Sequence, residues 1–384
     1  MLALNFRSLF ARLSVLLVFL CWVAVPIQAQ VPSAPKVDAS AYILVDQANG
    51  RVLASERAND RVEPASITKL MTGYLAFRAL ADGRLSLDEP VTISERAWRA
   101  EGSRTFLRVG SQVPVEVLLR GMIIQSGNDA AIALAEHLGG SEATFAELMT
   151  REAKRLGMRN SRFRNATGLP DADHYTTPSD IALLSRAMIR EFPQYYSWYS
   201  EREFVWNNIR QRNRNGLLSK DSSVDGIKTG HTSSAGYCLA SSALRGQTRL
   251  IAAVFGSPSV TSREQASASL LNYGFTFYET VTLRKAGEKI LEPRLYKGAE
   301  QFLVITPARN VDVTIPRGSA RNLRVSTQLD EPLMAPVEVG QKLGELRVMQ
   351  GDQVIARAAL VSADSVEAGG VWPQIRDTVA LMMR

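Results

Sequence analysis

The sequence predicts an α+β protein, in which an antiparallel sheet lies beside a cluster of helices and is followed by a small all-β domain and a terminal amphipathic helix. Up to about residue 280, strand-like segments, several helical segments, further strands and one more helix follow each other. An antiparallel sheet with a helical cluster satisfies that order. Residues 282–365 then alternate in short runs between turn residues, and residues 368–384 have helical spacing.

The first strands are predicted to form a hairpin, followed by a helix. Two apolar runs, residues 41–45 and 51–54, flank Gln47-Ala48-Asn49-Gly50. Asn-Gly between apolar runs is a strong hairpin signal. From Ser66 the apolar period becomes helical, and Gly83 ends that segment.

Later segments complete the first part of the fold. Helices are predicted at about 114–124, 127–138, 141–156, 178–191 and 262–279. Thr177-Pro178-Ser179-Asp180 has the cap, the proline and the acidic residue of a helix start. Residues 224–256 are predicted to form two adjacent strands, the second around Ala252-Ala253-Val254-Phe255. The short runs of residues 282–365 predict a sandwich or barrel.

The final segment, residues 368–384, is predicted to lie on a membrane surface. Its apolar residues recur every three or four positions and share one face: Trp372, Ile375, Val379, Met382 and Met383. The segment is too short to span a bilayer. The alternative is a helix docked on its own protein.

Composition and charge exclude several classes of protein. Of the 384 residues, 46% are hydrophobic and 22% are charged. These values exclude a disordered chain, a collagen-like chain and a disulfide-rich miniprotein. The net charge of +7 fits a secreted protein near anionic surfaces as well as it fits a nucleic-acid binder, and we predict no nucleic-acid partner.

Residues 1–29 are predicted to be an export signal. Arg7 and Arg12 give a positive start, the apolar run Leu13 to Val25 follows, and Ile27-Gln28-Ala29 is a fair cleavage site. An uncleaved anchor is the alternative. Because residues 1–29 contain two arginines and no acidic residue, cleavage would lower the net charge from +7 to +5.

The cysteines and histidines do not suggest a disulfide or a metal site. Cleavage removes Cys21, which leaves Cys238 as the only cysteine. Its strand-like setting favours a buried, inert thiol over a nucleophile. The three histidines, His137, His174 and His231, lack the spacing of a zinc site, so we predict neither a metal nor another cofactor.

Ser66-Ile67-Thr68-Lys69 opens the first long helix and suggests a serine nucleophile with a lysine base. Residues three apart share a helix face, so the Lys69 amine can reach the Ser66 hydroxyl. Lysine is a base only when neutral, and we expect the helix dipole and a second cation to lower its pKa. The motif alone is weak, because Ser33-Ala34-Pro35-Lys36 has the same spacing in a linker.

Two further motifs strengthen the hypothesis. Ser126-Gly127-Asn128 lies between two predicted helices, where its hydroxyl can pass a proton and its amide can hold a substrate carbonyl. Lys228-Thr229-Gly230 lies on a predicted strand, where the glycine would let a substrate backbone approach and the lysine would supply the second cation. Each is also compatible with an ordinary turn or strand end. Together, in this order, the three motifs favour serine–lysine acyl transfer.

The three motifs resemble those of penicillin-binding proteins and serine β-lactamases. The sequence within and around the motifs resembles the low-molecular-mass D-alanyl-D-alanine carboxypeptidases more closely still. The segments that resemble this family are residues 63–72, 126–130, 165–169, 213–218 and 225–232. The resemblance covers roughly residues 35–280, for which it implies a β-lactamase/transpeptidase-like fold, and extends in arrangement to the all-β domain and the terminal helix.

The resemblance implies a reaction on peptidoglycan. Ser66 would attack the carbonyl between the two D-alanines of a stem pentapeptide, and Lys69 would take its proton. Ser126 would relay a proton to the departing D-alanine, with Lys228 tuning the site. Backbone N–H groups of Ser66 and His231 would form the oxyanion hole, worth about 3 kcal/mol per donor. Water would then release the acyl-enzyme, and β-lactams would acylate the same serine.

The resemblance also implies how the substrate is held. Asn128 would bind the amide on the acyl side, beside Thr229 and Gly230. Arg214 and Arg263, with Thr229, are candidates to bind the terminal carboxylate, because a planar guanidinium fits a carboxylate. For Arg263 an ordinary solvated arginine is the alternative. The implied location is the periplasm, at the inner-membrane surface through the terminal helix.

Three other activities use similar residues. A class A β-lactamase needs a deacylating glutamate, whereas residues 165–177 contain Asp171 and Asp173 but no glutamate. This predicts slow β-lactam turnover and a long-lived adduct. A D,D-endopeptidase is an alternative that the all-β domain argues against mildly. A non-catalytic sensor of cell-wall peptides or β-lactams is another, and the intact Ser66, Lys69 and Lys228 argue against it.

Overall fold

The computed structural model describes residues 31–383, so the predicted export signal and Cys21 lie outside the described residues. The first nine strands are, in chain order, β1 (Ala41–Asp46), β2 (Val52–Glu56), β3 (Pro90–Thr92), β4 (Gln112–Pro114), β5 (Glu203–Trp206), β6 (Ile209–Arg212), β7 (Val224–Thr232), β8 (Gly236–Arg245) and β9 (Thr248–Ser257). Five of them form an antiparallel sheet in the order β2-β1-β9-β8-β7. The predicted α+β class, with an antiparallel sheet, is confirmed.

The helices between the strands form one cluster. They are α1 (Lys69–Ala81), α2 (Glu95–Trp98), α3 (Val115–Arg120), α4 (Asn128–Gly139), α5 (Glu142–Leu156), α6 (Pro178–Glu191), α7 (Pro193–Tyr196), α8 (Leu217–Lys220) and α9 (Val260–Phe277). The predicted long helices are therefore confirmed. At the start of α6 the Thr177 hydroxyl accepts a hydrogen bond from the Asp180 amide, the structural role expected of that motif.

The sheet is covered on both faces, because β1 is buried along its whole length and the middle of β8 and β9 is buried on both sides. Ile43 of β1 and Ile251 of β9 join the core that contains the helical cluster. Their neighbours point the other way, toward α9, where a Cβ added at Gly274 would lie 2.5 Å from Leu250 and 3.1 Å from Leu44. This glycine allows α9 to pack closely on the sheet, and the sheet forms the middle of the domain.

The prediction of two strands over residues 224–256 is wrong, because the segment forms the three strands β7, β8 and β9. The predicted second strand around residues 252–255 is β9, so the missed break is the turn at residues 233–235, which separates β7 from β8 and joins Thr232 to its partner Gly236. Gly236, at the end of this turn, has φ of +65°, which a glycine adopts without strain.

The second part of the chain is rich in strands, as predicted. It contains β10 (Tyr278–Arg284), β11 (Ile305–Pro307), β12 (Val311–Pro316), β13 (Leu323–Leu329), β14 (Lys342–Gln350) and β15 (Gln353–Ser362). Strands β11-β15-β14-β13 form one antiparallel sheet, and β10 pairs with β12 in another. The inward residues of both sheets share one apolar core, which makes this part a small sandwich.

The terminal helix, α10 (Val371–Met382), docks through its polar side. Asp377 is fully buried and accepts hydrogen bonds from the Arg294 guanidinium at 2.8 Å and the Lys297 amide at 2.6 Å. The apolar face points outward, and Trp372 is 81% exposed. The helix is therefore docked on its own protein, as the alternative expected, but through its polar side, which leaves the apolar face exposed.

Candidate active site

The predicted nucleophile lies on a tight turn that leads into α1. Residues Ala65–Thr68 form a single 3₁₀ turn, and Lys69 is the first residue of the helix. The Lys69 ammonium nitrogen, Nζ, lies 2.9 Å from Ser66 Oγ and donates to the Thr167 carbonyl at 2.7 Å. Ala65, just before the serine, has φ of +45°, a left-handed conformation that costs a non-glycine residue about 1–2 kcal/mol. The backbone therefore holds Ser66 in one orientation toward Lys69.

Lys69 is a candidate base mainly because burial lowers the pKa of its amine. Its side chain is 1% exposed, and desolvation lowers its pKa from 10.5 to about 7. The carboxylates of Asp129 and Glu142 oppose this change. The helix dipole and a second cation, which we expected from the sequence, are not the main cause.

Ser126 and Asn128 reach the same place from the start of α4. Ser126 follows a π-helical turn, Gly121–Gln125, and has a left-handed backbone with φ of +68°. Its hydroxyl is buried and receives no hydrogen bond from residues 31–383. Asn128 is held by its side-chain amide, which donates to the Glu101 carbonyl at 2.6 Å, while its Oδ1 is likewise unpartnered within the described residues. Two unsatisfied buried polar atoms next to the nucleophile are typical of a site that binds a polar substrate.

Lys228 lies on β7 and is 2% exposed. Its ammonium donates to the Thr229 carbonyl at 3.2 Å, and within the described chain it makes no hydrogen bond to Ser66 or Ser126. Desolvation, followed by the charges of Lys69 and two arginines, lowers its pKa well below the ordinary value. The two buried amines therefore disfavour each other's protonated form.

The structure gives a further reason why a glycine occupies position 230. A Cβ at this position would lie 3.0 Å from the Pro64 carbonyl and 3.2 Å from the Ala65 Cβ. The glycine therefore lets β7 pack against the 3₁₀ turn that carries Ser66. Gly230 also lines the cleft, and its closeness to a substrate backbone stays a prediction.

Two arginines reach the cleft from opposite sides. Arg214 is exposed, and its guanidinium donates to Ser103 Oγ at 3.3 Å. Arg263, the first-turn arginine of α9, is 6% exposed and donates to the Gly230 carbonyl at 3.3 Å. Desolvation lowers the pKa of Arg263, and the alternative that it is a solvated arginine is wrong.

The predicted residues surround one open cleft of about 540 Å³. Its lining includes eight of the ten predicted site residues: Ser66, Ser126, Asn128, Arg214, Thr229, Gly230, His231 and Arg263. Lys69 and Lys228 lie buried behind this surface. An amine that is buried behind its serine can exchange a proton with the hydroxyl without contacting bulk water.

Sequence reasoning missed several residues of the site. The Thr167 carbonyl, which binds Lys69, lies in the segment 165–169, for which the family resemblance implies no role. Tyr237 lines the cleft and stacks on His231 at 4.1 Å, since the two are directly paired across β7 and β8. A correct strand count would have revealed this pair. Ser103 comes from a loop with no sequence signal that we can identify.

The remaining histidine and cysteine are buried behind the site. His174 Nε2 lies 2.9 Å from the Thr68 hydroxyl, and desolvation lowers its pKa to about 4, so it is neutral. Cys238 is fully buried on β8, where desolvation raises its pKa to about 11, as expected of an inert thiol. Within residues 31–383, no three His, Cys, Asp or Glu side chains are grouped to hold a metal ion.

Comparison with known proteins gives a consistent result over almost the whole chain. Residues 28–259 match the D-alanyl-D-alanine carboxypeptidase family, and residues 278–368 match the C-terminal domain of penicillin-binding protein 5. The D-alanyl-D-alanine carboxypeptidase DacA of Escherichia coli (strain K12) is 40% identical over 364 residues, which cover 93% of this chain and 90% of DacA.

Two solved structures extend the comparison to the fold. Penicillin-binding protein 5 from Haemophilus influenzae is 38% identical, with a TM-score of 0.82 over 88% of this chain and 99% of that structure. Penicillin-binding protein D2 from Listeria monocytogenes, in a cefotaxime-bound form, is 29% identical, with a TM-score of 0.59 over 64% of this chain and 100% of that structure. Since both the sequence and the fold agree, this chain belongs to the D-alanyl-D-alanine carboxypeptidase family of penicillin-binding proteins.

Proposed function

We propose that this protein removes the terminal D-alanine from peptidoglycan stem pentapeptides through an acyl-enzyme on Ser66. The observation that carries the proposal is the Lys69 amine, 2.9 Å from the Ser66 hydroxyl, with its pKa lowered to about 7 by burial. At neutral pH a large fraction of this amine is therefore unprotonated, and a neutral amine at this distance can take the proton of the serine.

The charges around Lys69 favour transfer of the Ser66 proton to its amine. The substrate ends in a carboxylate, and an anion bound near Lys228, Arg214 and Arg263 stabilises the protonated form of Lys228. A charged Lys228 in turn disfavours a charged Lys69, because both amines are buried together. Substrate binding thus favours the neutral form of Lys69.

The other polar groups have proposed roles in the same step. The unpartnered Ser126 hydroxyl passes the proton to the nitrogen of the departing D-alanine, and the free Oδ1 of Asn128 accepts from the amide on the acyl side. Backbone N–H groups of Ser66 and His231 stabilise the oxyanion. Thr229, with the two arginines, binds the terminal carboxylate, and a water molecule then hydrolyses the acyl-enzyme.

The loop over residues 165–177 explains why β-lactams should form long-lived adducts. Asp171 and Asp173 are exposed, and Asp171 Oδ1 accepts a hydrogen bond from the Asp173 amide. The nearby buried Glu142 accepts from the Ala166 amide at 3.0 Å and pairs with Arg96 at 2.5 Å. Because this carboxylate holds the loop, it is not free to activate a water for deacylation. The Listeria protein D2, solved with cefotaxime bound, supports β-lactams as ligands of this fold.

The proposed location is the periplasm, at the surface of the inner membrane. Residues 1–29 would direct export, residues 35–280 would form the catalytic domain, and residues 282–365 would form the all-β domain that carries the anchoring helix of residues 368–384. The apolar face of that helix is exposed, with Trp372 81% accessible. No helix among residues 31–383 has both the length and the apolar character needed to cross a bilayer. Removing residues 368–384 should shift the protein from membrane to soluble fractions, and an unchanged distribution would contradict this location.

The activity is tested with purified protein and a pentapeptide that ends in D-Ala-D-Ala. Release of D-alanine, lost in Ser66→Ala, supports the carboxypeptidase. Cleavage of cross-linked dimers alone would identify an endopeptidase, and binding without product would identify a sensor. Covalent labelling by fluorescent penicillin should also disappear in Ser66→Ala. Ser33→Ala is the matched control, because Ser33 has the same spacing to Lys36 but is exposed in the linker.

A further inference from the structure

A second groove, of about 770 Å³, lies between α5 and the segment 159–164. Five cationic side chains line this basic groove: Arg151, Lys154, Arg159, Arg162 and Arg164. Among its described lining residues, Glu147 is the only acidic one. The groove therefore concentrates positive charge on a concave surface, which focuses the electrostatic potential and attracts anions.

The cations of the basic groove are largely unpaired. Arg162 approaches Asp173 at 3.5 Å, and both side chains are exposed. The other four form no ion pair within the described residues, whereas the neighbouring Arg155 is paired with Glu152 at 2.6 Å. At the rim, the guanidinium of Arg61 lies 4.1 Å from the ring centre of Tyr175, which also lines the groove. Like charges at close range repel each other, so an anion in the groove is favoured.

The floor of the basic groove is fixed by buried hydrogen bonds. The Thr150 hydroxyl of α5 accepts from the Phe163 amide at 3.0 Å, which ties the helix to the segment 159–164. The Ser161 hydroxyl donates to Asp180 at 2.7 Å, at the start of α6. The groove is therefore preorganised, and its cations are presented by a rigid platform rather than by a mobile loop.

The groove and the catalytic cleft share one stretch of chain. Arg164 lines the groove, and Thr167, only three residues later, lines the cleft and binds Lys69. A ligand in the groove therefore lies on the segment that borders the active site. Guanidinium groups bind carboxylates through paired hydrogen bonds, and peptidoglycan is a polymer whose repeated stem peptides carry free carboxylates.

We propose that the basic groove is an exosite, which binds the carboxylates of neighbouring stem peptides on the polymer whose pentapeptides are trimmed. This inference rests on the proposed function, since it assumes that peptidoglycan is the substrate. It assigns the groove to polymer binding and leaves the chemistry to the cleft. Soluble pentapeptides are too small to need it, whereas intact cell-wall sacculi use both surfaces.

The test uses the full-length double variant R151E/R159E, which reverses two charges of the basic groove. Neither residue lies in the catalytic cleft. In the Ser66→Ala background, pelleting with purified sacculi should weaken by about tenfold or more, because focused charge raises local binding by that order. With Ser66 intact, D-alanine release from sacculi should fall similarly, while release from the soluble pentapeptide stays within about twofold. The control R321E/R324E makes the same charge change at two exposed arginines of the β part that form no ion pair within residues 31–383, and it should pellet normally.

Chemical controls separate the possible ligands. Sacculi whose carboxylates have been amidated should lose the binding that depends on the groove. Undiminished pelleting of R151E/R159E, an equal loss in R321E/R324E, or normal binding to amidated sacculi would each overturn the proposal. Binding through the groove to phosphatidylglycerol vesicles but not to sacculi would overturn it in favour of a lipid site.

Two further readouts keep the results interpretable. The milder R151Q/R159Q, checked by thermal unfolding, should show a smaller loss of pelleting in the same direction, and no loss in a folded protein counts against the exosite. If the wild type releases no D-alanine from the soluble pentapeptide, the proposed function fails. Pelleting with native and amidated sacculi then still decides whether the groove binds the polymer.

Discussion

The rate of acylation by a β-lactam is expected to fall as the pH drops through about 7, because Lys69 acts as a base only when neutral. Desolvation lowers its pKa from 10.5 to about 7. At that pKa the neutral fraction is about one half at pH 7, about one in eleven at pH 6 and about one in a hundred at pH 5. An ordinary lysine would be neutral in only about one molecule in 3,000 at pH 7, so burial contributes on the order of 5 kcal/mol to the availability of the base.

The measurement is the second-order rate constant for labelling by fluorescent penicillin between pH 5 and 9, at constant ionic strength. Below about pH 6 the rate constant should fall about tenfold per pH unit, and above about pH 8 it should level off. Glu142→Gln should move this acid limb to lower pH, because the Glu142 carboxylate raises the pKa of Lys69. Its amide oxygen can still accept from the Ala166 amide, so the loop keeps its anchor.

Glu147→Gln is the matched control, since Glu147 is exposed on the same helix and is not among the groups that act on Lys69. It should leave the acid limb in place. A rate constant that is constant from pH 5 to 8, or that is still rising at pH 9, would refute a neutral lysine produced by burial. A shift caused equally by both glutamine variants would show that general charge, rather than Glu142, sets the pKa.

Three other substitutions test separate parts of the structure. Gly168→Ala should destabilise the fold by about 2–4 kcal/mol and abolish labelling, because φ is +84° and the new Cβ would lie 1.7 Å from the Ala65 carbonyl. Thermal unfolding measures this against Gly110→Ala, where φ is +73° with no atom nearby and about 1 kcal/mol is expected. Asp377→Asn should weaken docking of α10 by about 1–3 kcal/mol, which is seen as faster hydrogen exchange in that helix with D-alanine release unchanged. Cys238→Ala should label within about twofold of the wild type, because its thiol is fully buried, and a loss above about tenfold would give the cysteine a role that the structure does not support.

Most of the local structure could be predicted because it depends on local sequence signals. Asn-Gly in the first hairpin, the cap at Thr177 and the periodicity of α4 to α6 each act within a few residues. The three motifs of the site were found for the same reason, since Ser66 and Lys69 are three residues apart. The break between β7 and β8 was missed because Ser233-Ser234-Ala235-Gly236 is a weaker hairpin signal than the Asn-Gly of the first hairpin.

What could not be predicted depends on contacts between distant segments. The acidic residues that oppose the low pKa of Lys69 come from α4 and α5, and the carbonyl that binds its ammonium comes from Thr167. The reason for Gly230 is its packing against the turn at Pro64 and Ala65, more than 160 residues earlier. A pattern within one segment contains no information about which other segment will lie against it.

The same distant contacts explain how the strain at the site is maintained. Ala65 and Ser126 both have left-handed backbones, each costing on the order of 1–3 kcal/mol, and two amines are buried nearby. Such a conformation persists only where the surroundings over-determine it. The turn at Ala65 is held by the close approach of Gly230 from β7 and Gly168 from the loop, where no larger side chain would fit. The hydroxyl of Ser66 is therefore aligned with its base before any substrate arrives, and the large core around the sheet and helices supplies the stability that this alignment requires.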